Sequence, residues 1–264
     1  ADCGLGDLTL DWMLQEARKN GLGLRPVAPG HLNPDAFAMR HNSFLGLFRY
    51  RPTRPRAVPE VTDGARSRED WDGRTCFDTS VITRHRTPPP GERSYWPSLR
   101  LAPGESCQTK ASARPRWNST GIYIEQGGTY RVIANGEWLD ASVPATADGA
   151  RAGAHLGKIA YGLAAVPEAL RGLLRSVKRL AKADVPFTRR VDDAPWFALI
   201  GAIANGQGAS EFGEGVEEHE MHRLGKDVAF TADRSGYLYL FANDAWHMYG
   251  NNAGSLSIRL ERQS

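Results

Sequence analysis

Two short segments near the end of the chain, residues 237–241 and 255–260, show an alternating pattern of apolar side chains. Apolar positions recur at every second residue in both segments. Alternation with this period is typical of β-strands that have one buried face. We therefore expect the two segments to form a strand pair, a hairpin joined by residues 242–254, around which the rest of the domain is organised.

The connecting loop is rich in side chains that carry oxygen. It supplies one carboxylate, Asp244, and three carboxamides, Asn243, Asn251 and Asn252. Calcium binds about six to eight oxygens from carboxylates, amide carbonyls and the backbone. Asp244 could give two oxygens, the two later asparagines one each, and the backbone near Met248 a carbonyl. The alternative is a tight turn without a metal, because asparagine and glycine are also common turn residues.

This loop and the strand that follows it resemble the terminal segment of the PA-IL-type galactose lectins. The matching residues are Asn243-Asp244, Tyr249-Gly250-Asn251-Asn252 and Gly254-Ser255. The resemblance implies a small antiparallel β-sandwich that binds calcium and, through the calcium, the hydroxyl groups of a sugar. We therefore expect a mainly β domain over about residues 104–264, with Ca²⁺ as its cofactor.

The resemblance also implies which residues would hold the cation. The expected ligands are the side chains of Asp244, Asn251 and Asn252, and the backbone carbonyls of Met248 and of Ala141 or its neighbour Asp140. The carboxylate of Asp140 is an additional candidate ligand that would raise the negative charge of the site. Its alternative is a solvated aspartate on a surface loop.

Sugar contacts are expected from the same loop. The candidate residues are Asp244, Ala245, Trp246, His247 and Asn251. Trp246 and His247 could stack on the sugar or hydrogen-bond to it, with core packing as the alternative for Trp246. The galactose lectins also place a His and a Gln against the sugar, whereas residues 184–187 offer neither. The expected partner is therefore a galactose-like sugar or another glycan.

The first part of the chain, residues 1–103, is rich in proline and arginine and shows little periodicity. Residues 8–17 predict one helix, with Asp7 as its N-cap and Gly21 as its C-terminal stop. This part resembles the C-terminal region of an α/β-hydrolase family that includes the phospholipase effectors of type VI secretion systems. The similar segments are residues 1–22, 41–52 and 77–84. The resemblance implies a helical and irregular hydrolase tail.

The hydrolase resemblance places Asp2 where the family has its catalytic acid. Such enzymes need a serine nucleophile on a Gly-x-Ser-x-Gly turn, and this sequence contains no such motif. We therefore expect no hydrolysis by this chain alone, and an upstream hydrolase segment of a lipase or esterase as its partner. The resemblance further implies a bacterial protein that a type VI system secretes without a signal peptide, and no such peptide is visible.

Residues 144–192 interrupt the lectin-like pattern and are predicted to be a helical insertion. Within them, residues 159–182 place apolar side chains on one helical face and arginines and lysines on the other. A helix of this kind can lie on anionic membrane lipid. It can also cover an apolar surface of its own protein, which is common in globular folds and is the favoured alternative.

Composition excludes several other classes of protein. The mean hydropathy is −0.45, and no apolar run approaches the length of a membrane-spanning helix. The net charge is +3, and the arginines are scattered through proline-rich loops, so we expect no nucleic-acid partner. Three cysteines are too few for a disulfide framework or a zinc site.

The leading hypothesis is a calcium-dependent carbohydrate-binding module of a hydrolase or effector polypeptide. One alternative is the C-terminal part of a secreted type VI phospholipase effector whose nucleophile lies upstream. The other is a β-sandwich that binds no ligand. Calcium-dependent stabilisation would separate the last alternative from the leading hypothesis, because a fold without a site gains nothing from the cation.

Overall fold

The computed structural model divides the chain into two compact units. Unit 1 contains residues 1–49 and 60–98, and unit 2 contains residues 50–59 and 99–264. The structure describes residues 4–38, 53–61, 78–88, 97–150, 189–206 and 218–264. Asp2 and the predicted basic helix at 159–182 lie outside the described residues. The predicted domain boundary near residue 103 stays a prediction.

Unit 1 contains two described helices, α1 (Gly4–Lys19) and α2 (Thr79–Arg86). The helix predicted over residues 8–17 is confirmed, but it begins earlier than expected. Asp7 therefore lies in the first turn rather than at the N-cap. Its carboxylate accepts a hydrogen bond from the backbone N–H of Asn33 over 3.1 Å, so it fixes the returning chain instead of capping the helix.

The second helix has a conventional start. Asp78 is its N-cap, and the Asp78 carboxylate accepts a hydrogen bond from the N–H of Ser80 over 2.9 Å, as short polar residues commonly do at helix starts. Farther along, the buried Arg84 donates to the carbonyls of Ala36 and Ala38 over 2.7 and 2.8 Å. No helix of the described residues is both long and apolar enough to span a bilayer.

Unit 2 is built from eleven strands in the described part of the chain. They are β1 (Ser106–Ser112), β2 (Asn118–Ile124), β3 (Thr129–Asn135), β4 (Trp138–Asp140), β5 (Val143–Thr146), β6 (Gly149–Ala150), β7 (Leu199–Ala204), β8 (Glu220–Arg223), β9 (Asp227–Thr231), β10 (Gly236–Ala242) and β11 (Asn252–Arg262). A one-turn 3-10 helix, Tyr249–Asn251, precedes β11.

The strands form two sheets. Sheet A has seven strands in the order β6-β5-β4-β11-β3-β9, with β1 also paired to β11, and sheet B has four in the order β2-β10-β7-β8. All pairings between these strands are antiparallel. The predicted mainly β, antiparallel β-sandwich is thus confirmed.

Apolar side chains from the two sheets meet in one core. Sheet A contributes Val132, Ile258 and Leu260, and sheet B contributes Ile122, Leu199, Leu238 and Leu240. Each fully buried side chain of this size stabilises the fold by about 1.5–3 kcal/mol. Trp138, the largest of the fully buried side chains, also donates from its indole nitrogen to the carbonyl of Phe197 over 3.0 Å.

The expected hairpin of residues 237–241 and 255–260 is wrong. The two segments lie in β10 and β11, and these strands belong to different sheets. The residues between them therefore cross from one layer of the sandwich to the other. Residues on both sides of Gly127-Gly128 also alternate in the sequence and predict a second hairpin with its turn at these glycines. That prediction is wrong for the same reason, because β2 lies in sheet B and β3 in sheet A.

The burial of β10 differs from the expected half-buried strand. All seven of its residues are buried, since its aliphatic residues enter the core and its aromatic residues are covered on the other face. Trp117 makes edge contacts with Tyr239 and Phe241, and Tyr123 does so with Tyr237. The alternation in its sequence is between two apolar classes rather than between apolar and polar residues.

The predicted insertion starts too early. Residues 143–150 form β5 and β6, which extend sheet A beyond β4. At the other end of the predicted insertion, Arg189 forms an antiparallel bridge with Ala245. Both flanks of the segment are thereby part of the sandwich, and the second flank lies directly on the β10–β11 loop.

Candidate metal centre at the sheet junction

The β10–β11 loop, residues 243–251, begins in sheet B and ends in sheet A. Asp244 follows the last residue of β10 by two positions, and Asn252 is the first residue of β11. Asp140 ends β4 and is paired directly opposite Asn252 in the antiparallel register. The end of β10 in one sheet and the adjacent ends of β4 and β11 in the other therefore bring these predicted ligands together with Asn251.

Hydrogen bonds connect the four side chains in two pairs. The amide nitrogen of Asn252 donates to Oδ2 of Asp244 over 2.9 Å, and the amide nitrogen of Asn251 donates to Oδ1 of Asp140 over 2.8 Å. The backbone N–H of Ala245 donates to the other carboxylate oxygen of Asp244 over 2.7 Å. These contacts fix both carboxylates beside both carboxamides.

One oxygen of this cluster has no hydrogen-bond donor. Asn252 is 4% exposed, and no donor among the described residues reaches its buried Oδ1. A buried polar atom without a partner is unfavourable by about 1–3 kcal/mol. Such an atom in a cluster of oxygens is therefore a place where an external electropositive partner would be stabilising.

The raised pKa of Asp244 also indicates that a cation would be stabilising at this cluster. Burial raises the pKa of this carboxyl from 3.8 to about 6, and the nearby charge of Asp140 adds to the rise. The hydrogen bonds from Asn252 and Ala245 and the charge of Arg190 oppose it. Burial outweighs them, so the ionised carboxylate is under-compensated by the groups of the protein itself.

The donor set fits a hard cation. It offers two carboxylates and two amide carbonyls, and calcium prefers such oxygen ligands. No three His, Cys, Asp or Glu side chains of the described residues gather as a metal site, so the amide oxygens are needed to complete the set. The cluster contains both predicted types of ligand, carboxylate and carboxamide.

The two predicted backbone ligands flank this cluster. Ala141 has φ 52, a left-handed conformation that is uncommon for a residue with a Cβ, and its N–H donates to the carbonyl of Asn251 over 3.2 Å. The carbonyl of Met248 accepts a long hydrogen bond, 3.4 Å, from the N–H of Asn251. Both residues are therefore tied to the turn that carries Asn251.

The predicted sugar-contact residues lie in different environments. His247 is exposed on the loop. Ala245 is buried and forms a β-bridge with Arg189. Trp246 is only 5% exposed, and the guanidinium carbons of Arg116 and Arg190 lie 5.3 and 4.8 Å from its ring centroid. This environment fits the packing alternative for Trp246 and leaves His247 as the accessible candidate.

Asn243 has a structural role that the sequence did not reveal. Its side chain is fully buried and accepts a hydrogen bond from the N–H of Val191. It donates to three carbonyls, those of Val191, Ala194 and Pro195, over 2.9–3.0 Å. It fastens residues 191–195 to the start of the loop, and nothing in the local sequence distinguishes it from its ligand-like neighbours.

Comparisons with known proteins find similarity among solved structures only. No protein-family model and no curated protein matches this sequence. Among solved structures, the chain is similar to one described as "EclA N-terminal domain; PllA-like lectin", with 17% sequence identity and a TM-score of 0.34. The match covers 59% of this chain and 94% of the other. At that level of similarity, it does not assign a ligand or an activity to this chain.

Proposed function

We propose that unit 2 is a calcium-dependent carbohydrate-binding module. The observation that carries this proposal is the cluster of two carboxylates and two carboxamides at the sheet junction. Asp140, Asp244 and Asn252 are buried there, and Oδ1 of Asn252 has no donor among the described residues. The resemblance of residues 243–255 to the galactose lectins supports the same ligand set.

In this proposal one set of residues binds the cation and His247 contacts the sugar. The expected ligands are the side chains of Asp244, Asn251, Asn252 and Asp140, with the backbone carbonyls of Met248 and Ala141. Bound calcium would offer coordination positions that vicinal sugar hydroxyls can occupy in place of water. The exposed His247 would hydrogen-bond to the sugar from the rim of the loop.

The proposal needs ligand rearrangement at two side chains. The amide nitrogens of Asn251 and Asn252 now donate to Asp140 and Asp244. Turning each amide over would direct its carbonyl oxygen towards the cation instead. For Asn252 this turn also gives the unpartnered Oδ1 a partner. Cation binding would thus remove the unfavourable burial of an unpaired oxygen.

Calorimetry and thermal melts of the full chain test the proposal. We expect calcium to raise Tm relative to EDTA, since a ligand at about 100 times its Kd stabilises by roughly 2.7 kcal/mol. Asp244→Ala should abolish the rise. Asp227→Ala is the matched control, because it removes an exposed carboxylate that pairs with Arg131 at the edge of sheet A.

Calcium binding that survives in Asp244→Ala would contradict the assigned site, and a wild type that ignores calcium would leave a β-sandwich without this ligand. A glycan array in calcium and in EDTA then tests the carbohydrate partner. Glycan signals that persist in EDTA would contradict calcium-mediated recognition. Signals that vanish in EDTA and in Asp244→Ala alike would support it.

The polypeptide context of the module is also a proposal. The resemblance of residues 1–103 to hydrolases favours a role in directing a lipase or esterase to glycan-bearing surfaces. We expect the chain itself to be inactive towards phospholipid esters, because it contains no Gly-x-Ser-x-Gly motif. Ester hydrolysis by the purified chain that is lost in Asp2→Asn would contradict this expectation.

A further inference from the structure

Arg190 lies among aromatic rings next to the candidate metal centre. Its guanidinium carbon is 3.6, 4.0, 4.8 and 5.7 Å from the ring centroids of Phe241, Trp117, Trp246 and Tyr249, respectively. A guanidinium is attracted to ring faces at such distances. The four rings come from the residue before β2, from β10 and from the loop, so one side chain contacts all three segments.

The same guanidinium also hydrogen-bonds to Tyr249, whose hydroxyl joins the two ends of the loop. Its Nη1 donates to the carbonyl of Arg116 over 2.5 Å and to the hydroxyl of Tyr249 over 2.9 Å. The Tyr249 hydroxyl in turn donates to the carbonyl of Ala242 over 2.5 Å. Ala242 ends β10 and Tyr249 begins the turn before β11, so this chain of bonds sets the separation of the loop ends.

The backbone around Arg190 is held without its side chain. Arg189 forms an antiparallel bridge with Ala245, and Val191 exchanges two hydrogen bonds of 2.9 Å with the side chain of Asn243. Removing the guanidinium therefore leaves the segment attached to the loop. This makes the contribution of the Arg190 side chain separable from that of its backbone.

We propose that Arg190 is a positioning residue for the calcium site, an inference that rests on the proposed function. Its guanidinium fixes Tyr249 against the end of β10. Asp244, Asn251 and Asn252 are thereby held near their ligand positions before the cation arrives, and preorganised groups lose less freedom on binding. The charge of Arg190 acts in the opposite direction, since it repels a cation.

Calcium titration calorimetry on the full chain tests this role. Arg190→Met keeps an apolar side chain in the aromatic cluster and removes the guanidinium, and we expect a loss of about ten- to a hundredfold in affinity, as for other residues that orient metal ligands. Tyr249→Phe should cause a similar loss. The double variant should bind calcium no more weakly than the weaker-binding of the two single variants, because both side chains act through the same hydrogen-bonded network.

A charge-retaining variant separates positioning from electrostatics. Arg190→Lys keeps the positive charge but cannot reproduce the planar donor geometry of arginine. We expect its calcium affinity to stay close to that of Arg190→Met. In EDTA, hydrogen exchange of the amides in residues 243–251 should be faster in both variants than in the wild type, because the guanidinium no longer holds the Tyr249 ring and hydroxyl in place.

Arg262→Met is the matched control for general destabilisation. Arg262 also combines a ring contact, 6.0 Å to Tyr130, with a 2.9 Å hydrogen bond to the carbonyl of Leu101. It lies at the far end of β11 from Asn252. Its replacement should lower Tm without changing calcium affinity or the exchange of the loop amides.

The outcomes distinguish this inference from the function on which it rests. Unchanged or tighter calcium binding by Arg190→Met, or full affinity in Arg190→Lys, would overturn the positioning role and leave the proposed calcium site intact. A wild-type chain that binds no calcium would overturn both.

Discussion

The amide nitrogen of Asn252 donates a 2.9 Å hydrogen bond to the carboxylate of Asp244, and the two side chains are 4% and 2% exposed. One belongs to the first residue of β11 and the other to the loop that leaves β10, so the bond joins the two sheets. Its strength depends on the protonation of Asp244. Proton binding, cation binding and stability are therefore expected to be coupled at this pair.

The stability of the calcium-free protein should fall as Asp244 ionises. Burial raises the pKa of this carboxyl from 3.8 to about 6, so the folded state binds the proton more tightly than the unfolded state. Its contribution is fully present below pH 3.8 and is lost as the pH rises through about 6. The loss at neutral pH amounts to about 3 kcal/mol.

Urea unfolding in EDTA between about pH 4 and 7 measures this effect. Asp244→Asn is the control, because its neutral amide cannot titrate. The wild type should lose stability relative to the variant across this range, and saturating calcium should restore the wild type at the upper end. Parallel pH profiles for the two proteins would contradict the assignment.

Asn243→Ala should destabilise unit 2 strongly without removing a ligand. The substitution leaves the N–H of Val191 and the carbonyls of Val191, Ala194 and Pro195 without their partner. Several buried groups left unpaired correspond to about 3–5 kcal/mol, measurable by urea unfolding. Asn135→Ala, at the exposed end of β3, should change stability by less than about 0.5 kcal/mol. Similar effects of the two substitutions would contradict the structural role of Asn243.

Gly254→Ala should weaken both the fold and calcium binding. Gly254 has φ +81, and a Cβ there would lie 3.0 Å from Cα of Trp138 and 3.1 Å from the carbonyl oxygen of Glu137. Because Gly254 and Trp138 are paired in the same β4–β11 ladder as Asn252 and Asp140, the displacement would reach the ligands.

Gly104→Ala separates the two causes of that loss. Gly104 has φ +84 with no atom within 4 Å of an added Cβ, so it reports only the backbone penalty of about 1–2 kcal/mol. Calorimetry and urea unfolding should show a larger stability loss in Gly254→Ala, and a loss of calcium affinity in that variant alone. Equal losses in the two variants would show that the close approach to β4 is unimportant.

Acidification should loosen the contact between His219 and the segment at Pro55. The buried His219 accepts a hydrogen bond from the N–H of Gly206 over 3.0 Å and donates to the carbonyl of Pro55 over 2.9 Å. Burial lowers the pKa of this imidazole below its ordinary 6.5. Its contribution to stability is present above pH 6.5 and is lost as the pH falls towards the lower folded value.

His219→Gln should remove this acid sensitivity, and the exposed His31→Gln should keep it. The measurement is the free energy of unfolding at about pH 7 and pH 5, with Asp244→Asn as the background to remove the opposing effect of that carboxyl. An unchanged acid response in His219→Gln would exclude the histidine as its source.

Local sequence was sufficient for the strands and for the neighbourhood of the site. Alternation and turn residues predicted strands, and the resemblance to the galactose lectins implied their arrangement as a β-sandwich. The loop motif singled out Asp244, Asn251 and Asn252, which lie together with Asp140. These predictions depend on residues close to each other in the chain or on a specific motif. Whether the cluster holds calcium stays a prediction.

Strand partners and burial were beyond local sequence. Glycine and asparagine mark where the chain reverses, but they do not say whether the next strand joins the same sheet, so both hairpins were wrong. Asn243 and Trp246 are buried by contacts with residues 189–195 and with Arg116. Those partners are distant in sequence, and no periodicity in the loop reports them.

The crossing from β10 to β11 gives the ligand loop a mechanical role. Candidate ligands project from both layers of the sandwich, Asp244 from the sheet B side and Asp140 and Asn252 from sheet A. A cation bound by these ligands would cross-link the two sheets. Pulling the layers apart would then have to break metal–oxygen bonds as well as core contacts, so the loaded module should resist tension applied across its sheets better than the calcium-free one.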